Sequence, residues 1–162
     1  MILYLVRHAW AGHFGDPGWP DDSLRELTPD GIERYRRVVQ RLAEREVRPT
    51  WIATSPYSRC VQTAQLLSEG LPHQPPVEEV AALEPGVELS GALEWSERHT
   101  PADIAWVGHN PDMERLVPVL AGDRDLWVRF PKGSIAAIQF DRSIELGKGA
   151  LLWHYSAKQL GV

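Results

Sequence analysis

Three short polar clusters hold most of the side chains able to do chemistry: Arg7-His8, Ser55-Pro56-Tyr57-Ser58-Arg59 and Gly108-His109-Asn110. Each follows a short apolar run, at 2–6, 50–54 and 103–107 respectively. Arginine presents forked donors that match the oxygens of a tetrahedral anion such as phosphate. Imidazole is a nucleophile when its nitrogen is free and a donor when it is protonated. Two arginines and two histidines gathered in one place would form an anion pocket that contains its own nucleophile.

The elements around these clusters can gather them. The three apolar runs read as strands buried on both faces, because they are short, continuous and rich in β-branched and aromatic residues. The glycine- and proline-rich stretch from Ala11 to Asp22 reads as a loop. Thr28 followed by Pro29 reads as a helix N-cap and first turn. Ile32, Tyr35, Val38, Val39 and Leu42 then carry an amphipathic helix to about Arg45. A second helix spans about Tyr57 to Glu69 on Cys60, Ala64 and Leu67. Pro72 to Pro76 breaks the chain. A third helix is expected between Val87 and Arg98 on Leu89, Leu93 and Trp95, and a fourth carries Met113, Leu116, Val117 and Leu120. The segments 134–140 and 150–155 read as a closing hairpin. Strands alternating with helices predict an α/β three-layer sandwich: a mostly parallel central sheet, helices on both faces and an antiparallel strand at the C-terminal end. In such a sheet the carboxyl ends of the parallel strands line the ligand crevice, which is where all three clusters fall. Two clusters also lead directly into helices, whose N-terminal N–H groups favour anions.

The 162 residues are read as one domain, 1–162, long enough to bury a core without a metal or disulfide staple. With 17 Lys and Arg against 22 Asp and Glu, the net charge of −5 argues against a general nucleic-acid binder. Cys60 is the only cysteine, so no intrachain disulfide is available. The opening apolar run is too short for a membrane span or a signal segment, and a cytoplasmic location with no membrane association is expected. No P-loop, G-x-S-x-G elbow or H-E-x-x-H helix occurs, and Cys60 is not followed by an arginine at the spacing of cysteine phosphatases. His8 with His13 is a metal pair by residue type only, and no cofactor is expected.

The order of the clusters carries a family resemblance. Arg7-His8-Ala9, Ser55-Pro56-x-x-Arg59-x-x-Gln62-Thr63-Ala64 and Gly108-His109-Asn110, with Leu27-Thr28-x-x-Gly31 between the first two, resemble the motifs of the histidine phosphatase (phosphoglycerate mutase-like) superfamily across residues 2 to about 120. Ala9 departs from the family's Arg-His-Gly triplet and resembles its short SixA-like branch of phosphohistidine phosphatases. The short spacing between Arg59 and His109 also resembles that branch. The resemblance implies a metal-independent phosphatase in which His8 takes the phosphoryl group as a covalent phosphohistidine. Arg7, Arg59 and His109 would bind the phosphate oxygens, and the arginines would lower the proton affinity of His8. The implied partner is a protein carrying phosphohistidine or a small phosphomonoester.

Many family members place a carboxyl near the leaving oxygen. Glu84, in Ala82-Leu83-Glu84-Pro85-Gly86, occupies about that region, with Asp16 and Asp21 in the first loop as further carboxyls. A broad small-molecule phosphomonoesterase or a phosphoglycerate mutase-like enzyme is the alternative within the same chemistry. A non-catalytic phosphate-sensing domain is the alternative outside it.

Overall fold

The computed structural model describes residues 1–162. Six strands form one sheet: β1 (Ile2–Arg7), β2 (Trp51–Thr54), β3 (Val77–Glu79), β4 (Ile104–Gly108), β5 (Ile135–Gln139) and β6 (Ala150–Tyr155). Their order is β3-β2-β4-β1-β5-β6. Strands β3, β2, β4 and β1 run parallel, β5 is antiparallel to β1, and β6 is antiparallel to β5. No helix is long and apolar enough to cross a membrane.

The strands read as continuous apolar runs because each face has its own core. Side chains alternate across a strand, so Tyr4, Val6, Ile52 and Val107 point to one face. There they meet α1 (Pro29–Ala43) and α2 (Ser58–Gly70) through Tyr35, Val38, Leu42, Ala64 and Leu67. Leu3, Leu5, Ala53 and Trp106 point the other way, toward α3 (Leu89–Glu97) and α4 (Asp112–Ala121). The Thr28 hydroxyl caps α1 by accepting from the Gly31 N–H at 3.0 Å. Gly31 itself is packed so closely that a Cβ would come within 2.3 Å of the Trp10 carbonyl oxygen, so this helix start is clamped to the chain just after His8.

Two local expectations change. Strand β3 was not expected after the proline break: its three residues, Val77-Glu78-Glu79, carry no apolar alternation. It holds the sheet edge through backbone pairing with β2, while Glu78 Oε2 accepts from Trp95 Nε1 at 2.9 Å, and at an edge charged side chains are tolerated and discourage further pairing. In α3 the buried stripe is Ala92, Trp95 and Ser96, while Leu89 and Leu93 are only partly covered. A buried serine fits there because its hydroxyl donates to the Ala92 carbonyl at 2.8 Å and accepts from Trp106 Nε1 at 3.0 Å.

Candidate active site

The sheet register brings the three polar clusters to one edge. Arg7 stands opposite Gly108, and Thr54 opposite Val107, so His8, Ser55 and His109 leave their strands at one level. The backbone continues the ladder past the strand ends: the His8 N–H donates to the Gly108 carbonyl at 3.0 Å, and the Ser55 N–H to the Val107 carbonyl at 2.9 Å. A cavity of about 360 Å³ opens at this edge, with Arg7, His8, Arg59 and His109 in its lining. His8, Arg59 and His109 form its floor, at 6%, 4% and 3% exposure.

His8 is held in one tautomer. Its Nδ1 lies 2.8 Å from the Ala9 carbonyl, which can only accept, so Nδ1 carries the proton and Nε2 has a free lone pair. The Ala9 peptide is fixed in turn, because its N–H donates to Thr63 Oγ1 at 2.9 Å and that hydroxyl donates to the Arg59 carbonyl at 2.7 Å. Thr63 thus ties α2 to the end of β1. Burial, more than any charge, pushes the His8 pKa well below 6.5, and Arg59, His109 and Arg7 lower it further against the opposing Ala9 hydrogen bond. Sequence reasoning credited the arginines with this effect; the larger part is desolvation.

The two arginines are braced differently. Arg59 donates from Nη1 to the Asp22 carbonyl at 2.8 Å and from Nη2 to Asp22 Oδ2 at 3.1 Å. Arg7 donates from Nη1 to the Phe130 carbonyl at 2.7 Å. That carbonyl also accepts from Asn110 Nδ2 at 3.0 Å, while Glu114 Oε1 accepts from Asn110 Nδ2 at 2.9 Å and from the Phe130 N–H at 2.8 Å. Glu114 therefore fixes the peptide that aims Arg7. In both arginines Nε is buried and has no protein acceptor. Such donors are costly unless an oxygen of a bound anion meets them.

His109 is neutral in this arrangement. Arg59 Nη2, a donor only, lies 3.3 Å from His109 Nδ1, so Nδ1 accepts and the proton on Nε2 is donated to Ser55 Oγ at 2.9 Å. Burial, then the charge of Arg59, lowers the His109 pKa to about 3. Cys60 Sγ packs 3.5 Å from His109 Nε2, and burial pushes its thiol up to about 12, so it is no thiolate nucleophile.

The remaining sequence candidates separate clearly. Glu84 is exposed at the end of a short 3-10 turn and does not line the cavity, whereas its neighbour Pro85 does. Asp16 and Asp21 make local turn contacts with Gly18 and Ser23 and also lie outside the lining. His13 lines the cavity, but no three His, Cys, Asp or Glu side chains gather into a metal-ligating group. Sequence reasoning missed Asp22, Arg25 and Lys132, all in the lining. Arg25 Nε donates to Asp22 Oδ1 at 2.8 Å, and its Nη1 donates to the Gly12 carbonyl. Although desolvation raises it, the Arg25 hydrogen bond and the charges of Arg59 and Arg25 hold the Asp22 carboxyl below its ordinary pKa.

A protein of Picosynechococcus, itself uncharacterized, is 36% identical over 126 residues, covering 75% of this chain and 73% of that protein. Among solved structures, the protein histidine phosphatase SixA in complex with tungstate superposes with a TM-score of 0.83 at 23% identity, covering 99% of both chains. A phosphoserine phosphatase of Entamoeba histolytica in complex with 3-phosphoglyceric acid does so at 0.68 and 16% identity, covering 98% of both chains. These structural likenesses establish the fold. The family model of the histidine phosphatase superfamily (branch 1) matches residues 3–116, a span that runs from the first strand through His109. With most of its length matched, this chain belongs to the histidine phosphatase superfamily.

Proposed function

We propose that the protein is a phosphohistidine phosphatase that works through a covalent phosphohistidine on His8. The observation that carries the reading is the state of His8: Nδ1 is committed to the Ala9 carbonyl, and burial keeps Nε2 unprotonated. Nε2 attacks phosphorus, the bond to the leaving group breaks, and water then takes the phosphoryl group from His8. Phosphoryl transfer depends on positioning and on stabilising charge spread over the phosphoryl oxygens. The guanidinium groups of Arg7 and Arg59, both in the cavity lining, supply that stabilisation. A bound dianion favours the protonated form of His109, which adds a positive charge beside the phosphoryl oxygens. The scheme uses no metal, because the arginines carry the charge compensation.

The substrate class follows from what the leaving group needs. An alkoxide leaves only with a proton, and the one carboxyl in the lining, Asp22, is held ionised by Arg25 and Arg59. A phosphorylated imidazole needs far less help, since leaving group and nucleophile are then the same chemical group. Phe14, in the cavity lining and 83% exposed, offers an apolar contact to a protein bearing that group. Glu84 lies outside the cavity lining, next in sequence to the lining residue Pro85, and is the acid assigned to leaving groups that require one.

The test is a comparison of rates, without added metal, on a phosphohistidine protein and on phosphosugars and phosphoglycerates. Preference for phosphohistidine is expected. Glu84→Gln should slow the alkyl phosphates and leave phosphohistidine turnover unchanged; an equal loss on both removes the Glu84 role. Preference for alkyl phosphates would move the protein to the general phosphatase alternative.

The Arg7 brace gives a separate prediction. Glu114→Ala leaves the Phe130 N–H and one Asn110 donor without their acceptor, at a cost of about 1–3 kcal/mol in stability. It also frees the Phe130 carbonyl that aims Arg7, and kcat/KM should fall about tenfold. Glu114→Gln keeps an oxygen acceptor in place and should restore most of the loss. A Gln variant as impaired as the Ala variant would show that the charge of Glu114, not its acceptor geometry, is what matters.

A further inference from the structure

The cavity holds more positive charge than a phosphoryl group can neutralise. Arg7, Arg25, Arg59 and Lys132 line it against the single carboxylate of Asp22, a net charge of +3, whereas a phosphoryl dianion brings −2. Arg25 and Arg59 are both paired with Asp22, and Arg7 is tied to the Phe130 carbonyl. Lys132 is the unpaired one: its ammonium has no hydrogen bond and no ion pair.

Its root is rigid and placed beside the nucleophile. The Gly133 N–H donates to the His8 carbonyl at 3.0 Å, and the Arg7 N–H donates to the Ser134 carbonyl at 3.0 Å. Gly133 has φ +74° and lies against Trp10, where a Cβ would come within 3.0 Å of the indole. Lys132 lines the cavity and is half-buried, whereas the floor residues are nearly closed to solvent. Burial, and then the like charges of Arg7, Arg25 and Arg59, lower its pKa. An ammonium in that field is stabilised by an anion brought next to it, and the charge left over after the phosphoryl group binds leaves room for a second one.

We propose that Lys132 is a substrate-selecting cation that takes a carboxylate lying beside the phosphorylated side chain. This rests on the phosphohistidine reading and names the preferred substrate: a protein segment with Asp or Glu next to the phosphorylated histidine. The shared chemistry is a phosphoryl dianion with a carboxylate within reach.

Two phosphonates that resist hydrolysis test the site without any leaving group. 3-Phosphonopropionate and propylphosphonate differ by a carboxylate in place of a methyl. At low salt the wild-type protein should bind the carboxylate-bearing ligand about tenfold more tightly, as measured by calorimetric titration. Lys132→Met should remove most of that preference, and Lys132→Arg should keep it. Equal binding by the wild type, or a preference that survives Lys132→Met, overturns the inference. Turnover of phosphohistidine peptides with Asp and Glu neighbours, against the same peptides with Asn and Gln, assigns the source of the carboxylate. Faster turnover of the acidic peptides supports the protein segment, and equal turnover overturns it. A phosphonate preference with no peptide turnover at all keeps the Lys132 anion site, gives it to a small phosphocarboxylate, and sinks the phosphohistidine reading instead.

Discussion

His8→Ala should abolish turnover, with kcat/KM lower by about 10⁴-fold or more, as expected when a covalent nucleophile is removed. The size of the effect follows from the geometry. No other nucleophile with a free lone pair lies on the cavity floor: His109 Nδ1 faces Arg59, and the Cys60 thiol stays protonated to about pH 12. The anion pocket should survive, since Arg7 is aimed by Phe130 and Arg59 by Asp22, neither through His8. Tungstate should therefore bind the variant within a few-fold of the wild type. In the wild type, rapid quenching in base should trap a phosphorylated chain that releases phosphate in acid, the behaviour of an N–P bond. The pH profile adds a second check. The His8 pKa lies well below 6.5, so Nε2 stays free as pH falls through 6.5, and the acid limb set by His8 begins lower than for an ordinary histidine. Turnover by His8→Ala above about 1% of the wild-type rate would end the covalent scheme. A wild type with no turnover of any phosphate would favour a phosphate-sensing domain.

The parts of this site legible in the sequence are those that end parallel strands. Residues after β1, β2 and β4 reach the crevice because parallel strands deliver their carboxyl ends to one edge, so Arg7, His8, Arg59 and His109 could be placed together from pattern alone. Lys132 obeys a different rule. Strand β5 is antiparallel to β1, so it is the residues preceding β5 that arrive at the same edge. The run Phe130-Pro131-Lys132-Gly133 before an apolar strand was the available signal, and it needed the antiparallel assignment to be used. Asp22 and Arg25 had no such signal. They sit beyond a loop of glycines and prolines, and long-range contacts bring them in: Asp22 with Arg59, 37 residues away, and the Leu27 N–H with Gln62 Oε1. Strand β3 was hidden for a related reason, because a three-residue edge takes its place from backbone pairing with β2 and from a contact of Glu78 with the distant Trp95, neither of which shows as a local pattern.

Arg59→Met should lower kcat/KM by about 10³-fold, close to what losing a charged clamp on a transferring phosphoryl group costs. Three functions go with the guanidinium: the free Nε donor, the pairing with Asp22, and the contact that holds His109 Nδ1 as an acceptor. Arg59→Lys restores the charge but not the fork, and should recover only a small part of the loss. The third function gives a readout that simple loss of packing would not move. Burial and the charge of Arg59 together set the His109 pKa at about 3, so in the wild type His109 is neutral near pH 7 and gains its proton only when a dianion binds. Tungstate affinity should accordingly weaken as pH rises from about 3, the His109 pKa of the free protein, to its pKa in the complex, by up to tenfold per unit for a single linked proton, and level off above that. Removing Arg59 takes away a cation that disfavours the imidazolium, so the free-protein pKa of His109 rises, while burial still keeps it below 6.5. An NMR titration of the His109 ring in the two proteins measures that shift directly. If the pKa stays at its wild-type value while activity falls, Arg59 acts on the phosphate alone, and the proton carried by His109 belongs to the bound anion rather than to the Arg59–His109 pair.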